Sequence, residues 1–186
     1  MATQHEWLRE LVHDVADFPK PGVGFKDITP LLGNSDALRF SVEAMADPFI
    51  GTEIDAVVGV DARGFILGAP VAYRLGCGFV PVRKGGKLPR DVLGCEYELE
   101  YGTERLEIKT GGVTAGQRVV VVDDVLATGG TAAAACDLVQ QCGAEISGLV
   151  FLLELASLGG RNRLLDPPSD LASGHGTLVE ALLTYA

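Results

Sequence analysis

Four consecutive valines, Val119 to Val122, run into Asp123-Asp124 and then into Val-Leu-Ala-Thr-Gly-Gly-Thr. A β-branched run without polar alternation suits a strand buried on both faces, and such strands belong to parallel sheets covered by helices. The Ala127-Thr128-Gly129-Gly130-Thr131 segment then opens a predicted helix that ends near Gln141. Ala56 to Val60, Phe79 to Val82 and Glu145 to Leu153 read as further buried strands. Between them lie helical stretches, one of which follows Asp61-Ala62-Arg63-Gly64 and ends near Leu75. The repeat predicts an α/β fold, a twisted and mainly parallel sheet with helices on both faces. Ligands of such sheets bind beyond the carboxyl ends of the strands.

Outside that core the pattern is less regular. Trp7, Leu8, Leu11, Val12 and Val15 fall on one face of a helix predicted over 6–16. The prolines and glycines of Asp17 to Gly24 exclude helix there. Asn34 or Ser35 caps a second helix whose buried side carries Leu38, Val42 and Met45. Residues 83–94 lack apolar periodicity and read as a mobile loop. Glu96 to Glu100 and Arg105 to Lys109 alternate about a Gly102-Thr103 turn, which predicts a β-hairpin with Tyr97, Leu99 and Tyr101 on one face. Pro167-Pro168 marks a turn, and Leu178 to Tyr185 suits helix or strand equally.

With 186 residues the chain reads as a single domain, 1–186. Its formal charge is −10, which disfavours a nucleic-acid binder or an anionic-membrane binder. No apolar run reaches the ~18 residues of a membrane span. Met1 to Asp17 is charged and lacks the apolar stretch of a signal peptide. Cys77, Cys95, Cys136 and Cys142 form no Cys-x-x-Cys pair and have no histidines nearby. They read as reduced thiols of a cytoplasmic protein rather than zinc ligands.

The Ala127 to Thr131 loop has the makings of a phosphate nest. Two glycines let consecutive N–H groups converge at a helix N-terminus, and Thr128 and Thr131 add hydroxyl donors. No lysine stands here, so it is not a P-loop, and no G-x-G-x-x-G follows a strand. Two carboxylates beside a phosphate nest repel an anion unless something neutral or cationic intervenes. A ribose diol donates hydroxyls to such a pair, and Mg²⁺ screens it. The ligand is therefore expected to be a sugar phosphate.

The stretch Val119 to Thr131 resembles the phosphoribosyl pyrophosphate (PRPP) motif of the type I phosphoribosyltransferases. The resemblance implies that Asp123 and Asp124 hold the ribose hydroxyls, while Ala127, Thr128, Gly129, Gly130 and Thr131 hold the 5′-phosphate. PRPP also carries a pyrophosphate, which needs cations. Arg63 can fork two hydrogen bonds onto phosphate oxygens, and the family's pyrophosphate loop falls at Asp61, Ala62 and Arg63. Arg83, Lys84, Lys87 and Arg90 lie in an eight-residue stretch without an acid. That stretch suits a lid closing on pyrophosphate, although Arg83 equally suits a contact with a neighbouring subunit.

More widely, the chain resembles the adenine-using branch of that family. The likeness runs from Phe18-Pro-Lys-Pro-Gly-Val-Gly-Phe-Lys-Asp-Ile-Thr-Pro through Val60-Asp-Ala-Arg-Gly-Phe and Val82-Arg-Lys-Gly-Gly-Lys-Leu-Pro. It continues through Leu99-Glu-Tyr-Gly to Leu158-Gly-Gly-Arg. It implies transfer of the phosphoribosyl group of PRPP to adenine, giving AMP and pyrophosphate, with Mg²⁺ held mainly through substrate and Asp123 or Asp124 in reach. It implies a homodimer, a small hood (about 18–33 and the C-terminal part) and a flexible lid and hairpin at about 83–110. By this resemblance Glu100 is the catalytic carboxylate acting on the base N7, with Tyr101 its neighbour. Val23, Phe25 and Lys26 belong to the hood over the base. The family often has valine where this chain has Gly24, and arginine where it has Lys26. Leu158 suits an apolar contact on the base or helix packing. The segment after the last core strand, Glu154 to Leu158, has no basic residue, which favours a 6-amino over a 6-oxo purine. Two alternatives stand beside this reading: a PRPP-sensing regulator of the same fold, and transfer to hypoxanthine, guanine or xanthine.

Overall fold

A computed structural model describes residues 5–18, 20–99, 102–165 and 178–186. Glu100 and Tyr101, Pro19, and the stretch 166–177 with its Pro167-Pro168 turn lie outside the described residues. In chain order the elements begin with β1 (His13–Val15), β2 (Phe25–Asp27), α1 (Thr29–Gly33) and α2 (Ser35–Ala46). Next come β3 (Ala56–Val60), α3 (Arg63–Leu75), β4 (Gly78–Lys84), β5 (Val92–Leu99) and β6 (Gly102–Lys109). The chain continues through β7 (Arg118–Leu126), α4 (Gly130–Gln141), β8 (Glu145–Leu155), α5 (Gly160–Leu165) and β9 (Leu178–Tyr185).

Among the described residues the large sheet runs β5-β6-β4-β3-β7-β8-β9, and β1 pairs with β2 in a separate ribbon. The pairs among β4, β3, β7, β8 and β9 are parallel, while β6 lies antiparallel to β4 and β5. The expected mainly parallel α/β sheet is therefore present. Its alternation builds two cores, because successive strand side chains point to opposite faces. Val119 and Val121 pack with Ala135, Leu138 and Val139 of α4. Val120 and Val122 pack with Leu67 and Val71 of α3 and with Met45 of α2. Of the two cap candidates Asn34 is the one that caps α2, its side-chain oxygen accepting from the N–H groups of Asp36 and Ala37, each at 3.0 Å.

Three local readings change, and one open alternative is decided. The helix predicted over 6–16 is a 3₁₀ turn, Glu6–Leu11, followed by β1. Residues 13–15 leave the helical pattern because they pair with 25–27 (Asp14 faces Lys26), and tertiary pairing overrides local period. The loop predicted at 83–94 is much shorter. Arg83 and Lys84 extend β4 against Glu107 and Leu106 of β6, and β5 already begins at Val92. Gly102 and Thr103 are strand residues facing Leu99 and Glu98 rather than a turn. The tail that suited helix or strand is the edge strand β9, with Val179 and Leu183 buried.

Candidate active site at the carboxyl edge of the sheet

The ladder between β3 and β7 stops at Gly59 opposite Val122, but β7 continues to Leu126 against β8. Asp123 and Asp124 therefore lie within the strand, beyond its last pairing with β3. The first turn of α3 closes on this overhang at Gly64. A Cβ there would lie 2.8 Å from the Val122 carbonyl oxygen and 2.9 Å from Asp123 Oδ1. The loop after β7 turns at Gly129, in the left-handed region at φ 78°. A Cβ on Gly129 would also sit 2.8 Å from the Gly160 carbonyl oxygen, so bare backbone meets bare backbone where α5 begins.

These elements enclose a cavity of about 340 Å³. Asp61, Ala62, Arg63 and Lys84 line it together with Asp123, Asp124, Ala127 and Thr131. Thr128, Gly129 and Gly130 complete the loop between those last two. The peptide between Asp61 and Ala62 is cis. Two further lining residues, Tyr97 and Glu104, were not singled out in the sequence as site residues. They face each other across the β5–β6 hairpin, and the Tyr97 hydroxyl donates to Glu104 Oε2 at 3.0 Å.

Charge in this cavity is arranged in opposed pairs. Arg63 Nε lies 2.8 Å from Asp124 Oδ2. The Asp61 carboxylate, only 4% exposed, takes Arg83 Nε at 3.2 Å and Lys87 Nζ at 3.7 Å. Lys84 Nζ reaches Glu104 Oε1 at 3.1 Å. The basic stretch expected to face pyrophosphate thus converges on this edge, with Arg83, Lys84 and Lys87 each resting on a carboxylate. In contrast, Arg90 turns its carbonyl to the Lys109 ammonium. Burial raises the Asp123 carboxyl well above the usual range, and the adjacent Asp124 charge adds to that. Burial also raises Asp124, against the pull of Arg63. Burial pushes the Tyr97 phenol up to about 12, with the Glu104 carboxylate adding to the rise. Burial acts upward on Glu104 itself, but the hydrogen bonds from Lys84 and Tyr97 outweigh it and hold that carboxyl below its usual value.

A second cavity of about 420 Å³ adjoins the first through Arg63. Its wall is mainly apolar: Val15, Phe18, Phe25, Ile28, Leu32 and Ile66. The Arg63 guanidinium lies 4.9 Å from the Phe25 ring centroid, and Phe18 meets Phe25 edge-on at 5.1 Å. The Val23 carbonyl accepts the Phe18 N–H at 3.0 Å, which closes the loop before β2. Leu158 stands 44% exposed on the short turn after β8. Val23, Lys26 and Leu158 line neither of these two cavities. The Lys26 ammonium pairs with Asp14 and lies over the Tyr185 ring.

Among the described residues, no group of three or more His, Cys, Asp or Glu side chains gathers as a protein-built metal site requires. The adjacent Asp123 and Asp124 carboxyl groups on the cavity wall supply hard oxygen donors, which fit a cation that takes most of its oxygens from a bound substrate.

The phosphoribosyl transferase domain family matches residues 35–170. The adenine phosphoribosyltransferase of Thermobifida fusca is 56% identical over 155 residues, covering 83% of this chain and 88% of that one. The chain belongs to the adenine phosphoribosyltransferase family. The crystal structure of the adenine phosphoribosyltransferase from Rhodothermus marinus superposes with a TM-score of 0.89 at 46% identity, covering 100% of both chains. The Saccharomyces cerevisiae adenine phosphoribosyltransferase, solved with adenine and an imino-altritol bisphosphate, gives a TM-score of 0.86 at 36% identity, covering 98% of this chain and 100% of that one.

Proposed function

We propose that the chain transfers the phosphoribosyl group of PRPP to adenine, releasing AMP and pyrophosphate, a purine-salvage reaction. The observation that carries this reading is one cavity in which the acidic pair, the phosphate loop and the cation-bearing Asp61–Arg63 turn meet. The bond from ribosyl C1 to the pyrophosphate oxygen breaks, and a bond from C1 to the base nitrogen forms. Positive charge develops at C1 on the way, so electrostatic preorganisation around departing pyrophosphate is the main requirement. Asp123 and Asp124 accept the ribose hydroxyls. The amides and hydroxyls of Ala127 to Thr131 take the 5′-phosphate. On the other side Arg63, Arg83, Lys84 and Lys87 exchange their carboxylate partners for pyrophosphate oxygens. Mg²⁺, within reach of Asp123 or Asp124, supplies neutralisation of the pyrophosphate charge.

The base lies toward Phe25 and Leu158, with Glu100 adjusting its proton balance at N7 and Tyr101 beside it. The main chain around Val23 and Lys26 reads the base edge. The hood (about 18–33 and the C-terminal part) and the hairpin region (about 83–110) belong with the single domain 1–186.

A second copy of the chain completes the assembly as a homodimer. Ile66, Ala69 and Tyr73 on α3 support this: they share one exposed face of that helix, with Tyr73 90% exposed. The four free cysteines favour the reducing cytoplasm, and among the described residues no helix is long and apolar enough to cross a membrane. Neither nucleic acid nor a membrane is assigned as a partner. The deciding experiment supplies PRPP and Mg²⁺ and compares turnover of adenine with that of hypoxanthine, guanine and xanthine. AMP formation from adenine alone is expected, and Glu100→Gln should cut turnover while sparing PRPP binding. PRPP binding without product would favour the sensor, and a preferred 6-oxo base would overturn adenine.

A further inference from the structure

Tyr185 ends β9 opposite Leu155, where β8 gives way to the turn that carries Leu158. Two cations lie over its ring. Arg9 Cζ is 4.4 Å and Lys26 Nζ 3.9 Å from the ring centroid. Both are also tied to neighbours. Arg9 pairs with Glu6 and donates to the Thr184 carbonyl. Lys26 pairs with Asp14, its partner across β1 and β2. A cation over an aromatic face is held by the ring quadrupole. Burial pushes the Tyr185 phenol upward, further from ionisation.

The β1–β2 ribbon needs such an anchor. It has three residue pairs, and all of β1 is exposed, whereas an isolated two-stranded ribbon is marginal in water. Strand alternation makes the anchor directional. Lys26 faces Tyr185, so its neighbour Phe25 faces the other way, toward Arg63 and the apolar cavity.

We propose that Tyr185 is a positioning residue for the base: by gripping Lys26 it holds the β1–β2 ribbon in place and fixes Phe25 over the site. The inference rests on the reading of the ribbon as part of the hood over adenine.

The test is steady-state kinetics with each substrate varied in turn. Tyr185→Leu should raise the KM for adenine about fivefold while kcat and the KM for PRPP stay within about twofold. Tyr185→Phe, which keeps the ring, should restore the native adenine KM. Lys26→Met should match the adenine KM of Tyr185→Leu, and the double variant should have an adenine KM no higher than either single one, because each loses the Lys26–Tyr185 contact that anchors the ribbon. If Tyr185→Leu does not fold, Lys26→Met against Tyr185→Phe carries the same comparison. An adenine KM unmoved in Tyr185→Leu, an equal rise in the KM for PRPP, or a defect in Lys26→Met that Tyr185→Leu lacks would each overturn the proposal. Native turnover with a flat adenine KM in the variants sinks this inference alone. A native chain that makes no AMP sinks the functional reading and this inference with it.

Discussion

Gly160→Ala isolates what the packing of bare backbone contributes to the phosphate loop. A methyl group at 160 would stand 2.2 Å from the Ala127 carbonyl oxygen, 2.9 Å from the Gly129 nitrogen and 3.0 Å from Leu126 Cδ1. Ordinary contact begins at 3.4 Å, so the loop or the start of α5 must retreat by about 1.2 Å. Gly160 opens a helix, where alanine is intrinsically preferred by ~1 kcal/mol. Overpacking costs ~1–3 kcal/mol, so the net loss of stability is modest, ~0–2 kcal/mol. The functional cost is larger, because a displacement near 1 Å of a positioning element lowers rates by about 100-fold. The expected result is a folded protein whose kcat/KM for PRPP has fallen by that order. Thermal unfolding and steady-state kinetics measure the two halves separately. Gly33→Ala is the control: its new methyl would meet no atom within 4 Å and its φ is not positive, so stability should move by less than about 0.5 kcal/mol. A folded Gly160→Ala protein with native kcat/KM for PRPP would refute the claim that this contact sets the loop.

Asp123→Asn should raise the melting temperature of the free protein at neutral pH while weakening PRPP binding about tenfold. Because the folded-state pKa is raised, stability falls as pH climbs from the unfolded carboxylate value toward the folded one, and it stays lower above that window. The amide removes that penalty and still accepts the Asp124 N–H, now 2.9 Å from Oδ1. A lower melting temperature with an unchanged PRPP affinity would contradict both halves. Lys87→Ala gives up a 3.7 Å ion pair in which the lysine is half-exposed and the buried Asp61 keeps its Arg83 partner, so stability should change by less than ~1 kcal/mol, yet the KM for PRPP should rise several-fold. An unchanged KM removes Lys87 from the pyrophosphate side. Tyr73→Asp places a charge on the exposed apolar face of α3 and should yield monomers in sedimentation; an unchanged oligomer moves the interface elsewhere.

The residues that were legible are those whose chemistry is local in sequence. Val119 to Thr131 carries a buried strand, an acidic pair and a helix start in one run, and the fold keeps all three together. The start of α2 and Met45 on its buried side were legible for the same reason, whereas Leu38 and Val42 are only half-buried beside the buried Ala37 and Ser41. What depends on register was not. A turn at Gly102-Thr103 would set Tyr97 opposite Ile108, two apolar faces meeting. The actual register sets Tyr97 opposite Glu104, and a polar pair enters the cavity wall. The two registers differ by an even number of residues, so every side chain keeps its face and only its neighbour changes. Alternation therefore assigned Tyr97 to a face of the hairpin, yet held no information about what it would meet there. The 13–15 segment failed differently: Trp7, Leu8, Leu11, Val12 and Val15 satisfy a helical period, but the pairing partner that defeats it lies beyond a proline-rich turn. Lys26 combines both limits. Its role as a side chain is set by Asp14 across that unforeseen ribbon and by Tyr185 at the far edge of the sheet. A contact between segments so distant in sequence leaves no periodic trace, so the resemblance that placed Lys26 in the hood carried no information about where its side chain would rest.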